Sequence, residues 1–68
     1  MEKLVINEYR DFEKVVNKLK EDKEVELELS ELDNSLRVRI IDLVTGYIYD
    51  RGEIKKESSD KYIVSILK

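Results

Sequence analysis

Five residues near the middle of the chain, Val25-Glu26-Leu27-Glu28-Leu29, alternate strictly between aliphatic and acidic. Successive side chains of a strand point to opposite faces, so this pattern predicts a strand with one apolar face and one negative face. A fold built around it must cover one side of a sheet and leave the other side polar. The neighbouring segments supply the cover. Upstream, Phe12, Val15, Val16 and Leu19 recur at helical spacing among charged and amide residues, and Asp11 is placed to cap their start. This predicts a helix from Asp11 to about Asp22, with an apolar stripe narrow enough for a helix lying on one layer. Downstream, Ser30-Glu31-Leu32-Asp33 has the form of a capping box. It predicts a second helix continuing to about Thr45, with Gly46 just past its end as a left-handed cap.

The remaining elements are short. Leu4-Val5-Ile6 is a first strand ending at Asn7. Tyr47-Ile48-Tyr49 reads as a strand, Asp50-Arg51-Gly52 as a tight turn, and Ile54 lies in a return strand that makes a hairpin with it. Glu57-Ser58-Ser59-Asp60 is a second turn, and Tyr62 to Leu67 is a final strand, almost continuously apolar. The predicted order is βαβαβββ in a single domain, residues 1–68. Its class is α/β, a two-layer sandwich with two helices on one face of a mixed sheet.

Stability and partners follow from what the chain lacks. It has 68 residues and no Cys, His, Ala, Pro, Trp or Gln. A chain of this size buries only roughly 60% of its unfolded surface. A core of this size rarely supplies more than about 3–5 kcal/mol, and small domains usually add a disulfide, a metal or an oligomer interface. Without Cys there is no disulfide and no thiolate zinc site, and without Cys or His the commonest nucleophile–base pairs are missing. Oligomerisation is the favoured route. Abundant Glu and Lys, with no Cys or Gln, point to a thermophilic source. The apolar runs are too short to span a membrane, and no secretory signal is present. The net charge of −3 argues against a general nucleic-acid binder.

The second helix sharpens the question of a partner. At about 100° per residue, Leu32, Leu36, Ile40, Leu43 and Val44 share an arc of about 120°. Ile41 and Val38 fall beyond that arc, at about 140° and 200° from Leu36. Either one packs on the first helix and the other is exposed, or both are buried in a helix-side contact with a second copy. The uncovered sheet face also has apolar residues near the last strand, because Ile63 and Leu67 alternate with Tyr62, Val64 and Ile66.

Chemistry is sparse. Glu26 and Glu28 share a strand face, but no acid pair sits at a spacing that identifies a metal site. The two glycines are isolated, so no phosphate-binding loop exists. A domain this small has little room for a deep cleft. The expectation is no enzyme, no metal and no cofactor. Lys55-Lys56 is the only adjacent basic pair, with Lys61 nearby. It is either a solvated hairpin or a small positive spot for an acidic peptide.

Several segments, in order and at similar spacings, resemble the SepF family of cell-division proteins. Arg10-Asp11-Phe12-Glu13 resembles R-x-F-E-D, Leu29-Ser30-Glu31-Leu32-Asp33 resembles L-x-x-L-D, and Arg39-Ile40-Ile41-Asp42-Leu43-Val44-Thr45-Gly46 resembles R-I-V-D-F-L-x-G. Gly52-Glu53-Ile54-Lys55-Lys56 is similar to G-x-I-x-K, and Tyr62-Ile63-Val64 falls where the family has an aromatic followed by aliphatics. Lys14-Val15, Glu28 and Val38 depart from the family's frequent Asp-Ala, Asn and Ala.

The resemblance, with the composition, suggests an archaeal or thermophilic member. It implies a dimeric, cytoplasmic adaptor at the division site on the inner membrane face. Such an adaptor binds the C-terminal tail of the filament protein FtsZ, polymerises, and catalyses nothing. Membrane attachment is then expected through a segment absent from this chain. Lys56 and Tyr62 take the positions of the family's peptide-binding residues, a cation for an acidic peptide and a ring for an apolar side chain. Val38, Ile41 and Gly46 fall on the implied dimer or polymer interface. The other readings are a small RNA- or ribosome-associated α/β domain and an unrelated homo-oligomeric interaction module.

Overall fold

The computed structural model describes residues 2–68. Strand β1 is Glu2–Val5, and a single 3₁₀ turn, Tyr9–Asp11, leads into helix α1, Phe12–Asp22. Strand β2 is Glu24–Glu28, helix α2 is Asn34–Ile48, and strands β3, Gly52–Lys56, and β4, Lys61–Ile66, complete the chain. The sheet order is β1-β2-β4-β3. β1 runs parallel to β2, whereas β4 is antiparallel to both β2 and β3. This is the two-layer α/β sandwich with a mixed sheet.

The alternation in β2 behaves as its sequence dictates. Val25 and Leu27 are buried in one apolar core with Val15 and Leu19 of α1, Ile40, Val44 and Ile48 of α2, and Val64 of β4. Glu26 and Glu28 stay on the other face. There Glu28 is flanked by Lys3 of β1 at 3.1 Å and Lys61 of β4 at 3.9 Å. The Ser30 hydroxyl donates to Glu28 at 2.8 Å. That hydrogen bond and the adjacent Lys3 ammonium hold the Glu28 carboxyl below its ordinary pKa.

Four local expectations are corrected. Asp11 caps no amide of α1. Its side chain instead turns back to accept the Asn7 N–H at 2.9 Å, which closes the 3₁₀ turn. The cap of α2 is Asp33, whose carboxylate accepts the Leu36 N–H at 2.9 Å, and Ser30 belongs to the turn before it. Gly46 lies inside α2 without positive φ. Tyr47-Ile48-Tyr49 forms no strand, since α2 continues through Ile48.

The last two corrections have one cause. Ile48 is four residues beyond Val44 and eight beyond Ile40, so extending the helix completes a buried stripe. That burial outweighs the strand preference of Tyr-Ile-Tyr. The chain then reverses at Asp50, whose φ of 60° supplies the left-handed residue assigned to Gly46. The element order is therefore βαβαββ, with α2 joined directly to β3.

Gly52, the first residue of β3, has no room for a side chain. A Cβ there would collide with the Ser65 carbonyl oxygen and crowd Ile48. The glycine is what lets the end of α2 enter the sheet edge so closely.

Candidate functional site

The β3–β4 hairpin and the first half of α2 enclose a shallow cleft of about 240 Å³. The hairpin contributes Lys56 and Tyr62, which are direct cross-strand partners. They share the sheet face that carries the buried Val64, because each lies two residues from the Ile54–Val64 pair. The Tyr62 ring is half-buried against the core, and Lys56 is exposed. From α2 come Arg37, Val38, Ile41 and Asp42. Asp33 sets the register of this helix by fixing where its first turn begins.

The cleft has an apolar floor and a charged rim. Ile41 is half-buried and packs on the core, whereas Val38 is 54% exposed. Arg37 donates from Nε to the Leu32 carbonyl oxygen at 3.3 Å, which holds its guanidinium near the rim. Among the described residues, neither Arg37 nor Lys56 lies within ion-pair distance of a carboxylate. Two cations and Asp42 therefore surround apolar carbon. Such a rim attracts a segment carrying both negative charge and an aliphatic or aromatic anchor.

Four of the five residues singled out from sequence meet here: Lys56, Tyr62, Val38 and Ile41. Gly46 does not. It sits about a turn further along α2, exposed, and a Cβ added there would meet nothing within 4 Å. In the single chain Ile41 is half-buried against the core in the cleft it shares with the hairpin, and Val38 is exposed. Arg37 and Asp42 were missed. Their signal was available, because Arg37, Val38, Ile41 and Asp42 repeat at helical spacing on one flank of α2.

Among the described residues, no group of three or more acids is placed to hold a metal. No helix of the described residues is long and apolar enough to cross a membrane. Among proteins of curated function, none matches the chain. A family model does: the one described as cell division protein SepF matches residues 3–65.

Proposed function

The chain belongs to the SepF family of cell-division proteins, and from that membership we propose that it is a non-enzymatic adaptor that binds the C-terminal tail of FtsZ. The observation that carries this reading is the cleft between α2 and the β3–β4 hairpin. It unites Lys56 and Tyr62 with the exposed Val38 and the core-supported Ile41. A short acidic peptide with an apolar side chain fits that combination. Titration calorimetry with the FtsZ tail peptide tests it. Micromolar binding is expected, and Lys56→Glu should weaken it about tenfold or more with an unchanged circular dichroism spectrum. Undiminished affinity in that variant would remove the cleft from the reaction.

The adaptor links the division ring to the membrane as a homodimer or polymer. Self-association is supported by the outer stripe of α2. Val38 and Thr45 lie within about 20° of each other around α2, and Tyr49, just past its end, is 75% exposed. Gly46 borders this stripe and leaves open space beside it. A second copy docking there would sit next to the peptide cleft, because Val38 belongs to both. Sedimentation velocity of the wild type and Val38→Lys is the check. The variant should shift to the monomer while keeping its circular dichroism spectrum, with a lower melting temperature wherever the wild type is dimeric. A monomeric wild type would sink the self-association reading, and an undisturbed dimer would move the interface to the open sheet face.

A further inference from the structure

The chain's 13 Lys and Arg side chains are not evenly matched with its acids. Lys3, Arg10, Lys14, Lys18 and Lys61 lie within ion-pair distance of carboxylates. Of the others, Lys20, Lys23, Arg51 and Lys68 converge on one cleft of about 250 Å³. It lies between the C-terminal ends of α1 and α2 and the end of β4, about 15 Å along α2 from the cleft that holds Arg37. Among the described residues lining it none is acidic, although 16 of the 68 residues in the chain are Asp or Glu.

Part of this positive charge answers the fold itself. Two helix C-termini end here, and each carries roughly half a negative charge. Four cations exceed that by about three charges, and by about two if a terminal carboxylate at Lys68 is also counted. One of the cations is held in place. The Arg51 guanidinium lies 4.6 Å from the centre of the Tyr47 ring and donates to the Tyr47 carbonyl from Nε at 2.9 Å and from Nη2 at 2.6 Å. This leaves Nη1 free on a fixed plane. The backbone is held as well, since the Arg51 carbonyl accepts the Leu67 N–H at 2.8 Å and the Lys23 carbonyl accepts the Ile66 N–H at 2.8 Å.

We propose that this second cleft binds a compact, multiply charged phosphate anion, with Arg51 as the fixed donor and Lys20, Lys23 and Lys68 as mobile ones. A cleft of about 250 Å³ seats a phosphate-bearing group. A phosphate monoester carries about −1.5 to −2 at neutral pH, against −1 for a carboxylate, so phosphate chemistry matches the surplus within so small a space. Planar guanidinium and ammonium donors are the side chains that recognise it. The proposal does not rest on the peptide-binding reading, and its test is separable from it.

The first arm is an NMR titration with inorganic pyrophosphate. Saturable shifts are expected at the amides of Lys20, Lys23, Arg51 and Lys68. Lys20→Gln/Lys68→Gln should weaken them about tenfold. Lys55→Gln/Lys61→Gln, which removes the same charge from the open sheet face, should leave them unchanged. The FtsZ tail affinity of the Lys20→Gln/Lys68→Gln variant should equal that of the wild type. The second arm is co-sedimentation with vesicles of phosphatidylglycerol and of phosphatidylcholine. Binding to the first only, lost in Lys20→Gln/Lys68→Gln, identifies the phosphate as a lipid headgroup. Pyrophosphate binding without sedimentation identifies a free anion. Shifts spread equally over all lysines, or equal loss in both double variants, would overturn the proposal.

Discussion

Helices α1 and α2 lie on the same sheet face and contribute to one core, yet they treat their outer surfaces differently. α1 buries Val15 and Leu19 and presents mainly charged residues elsewhere. One of them, Lys18, reaches Glu2, Glu21 and Asp22 at 3.2, 3.3 and 3.7 Å, and the hydrogen bond it donates to Glu2 raises its pKa most. α2 buries Ile40, Val44 and Ile48 but also exposes Val38 and borders both clefts. Apart from Lys20, which lines the second cleft, the first helix is accounted for by the fold of one chain. The second carries apolar residues and cations that one chain leaves without partners, and recognition is concentrated along it.

The largest expected effect tests whether the inner faces are equivalent. Leu19→Ala in α1 and Ile40→Ala in α2 should each cost about 2–5 kcal/mol in denaturant unfolding, since both side chains are fully packed. Similar losses would confine the difference between the helices to their outer faces. A much smaller loss for Ile40→Ala would break the comparison.

A second, smaller effect distinguishes how the helices begin. Asp33 caps its own helix, whereas Asp11 is 6% exposed and ties α1 backwards to Asn7. The Asn7 hydrogen bond lowers the Asp11 pKa from its ordinary 3.8, burial opposes this, and Lys14 at 3.4 Å assists. A lowered folded-state pKa means that Asp11 stabilises the protein fully above the ordinary value. That contribution is lost as the pH falls from there through the lowered one. Asp11→Asn should cost about 1 kcal/mol at pH 7 and less in strong acid. Unfolding curves at several pH values would show the two proteins converging below pH 3.8; parallel curves would refute the assignment.

The smallest effect has the opposite sign. Gly46 sits in the last turn of α2 with open space around it. Gly46→Ala should therefore stabilise the isolated chain by just under about 1 kcal/mol, read as a rise in melting temperature at low concentration. If a second copy packs on that flank, the same methyl group will weaken the dimer measured by sedimentation. A rise in stability with unchanged association would take Gly46 out of any interface.

What the sequence revealed follows the same division. α1 and β2 were legible because their patterns had one interpretation each, and the turn over Glu57–Asp60 was equally plain. α2 was misread at both ends for physical reasons. At its start, Ser30 and Asp33 are both competent caps, and only the burial of Leu29 and Leu32 selects Asp33. At its end, Gly46 and the Tyr-Ile-Tyr run suggest a stop, but the Ile40–Val44–Ile48 stripe overrides them. The pairing of Lys56 with Tyr62 depends on strand register, which no local pattern specifies. Those two were reached through family resemblance; helical spacing groups Arg37 with Val38 and Ile41, but its meeting with the hairpin depends on where α2 packs.

The position of β4 sets a timetable for the molecule. It is the last of this domain's strands to be synthesised, yet it is the inner strand that joins β2 to β3. Until residues 61–66 emerge, the nascent chain holds only the β1–β2 ladder and an orphan β3. Neither the sheet nor the hairpin wall of the peptide cleft exists before then. The sheet can therefore close only after nearly the whole length of the domain has been synthesised.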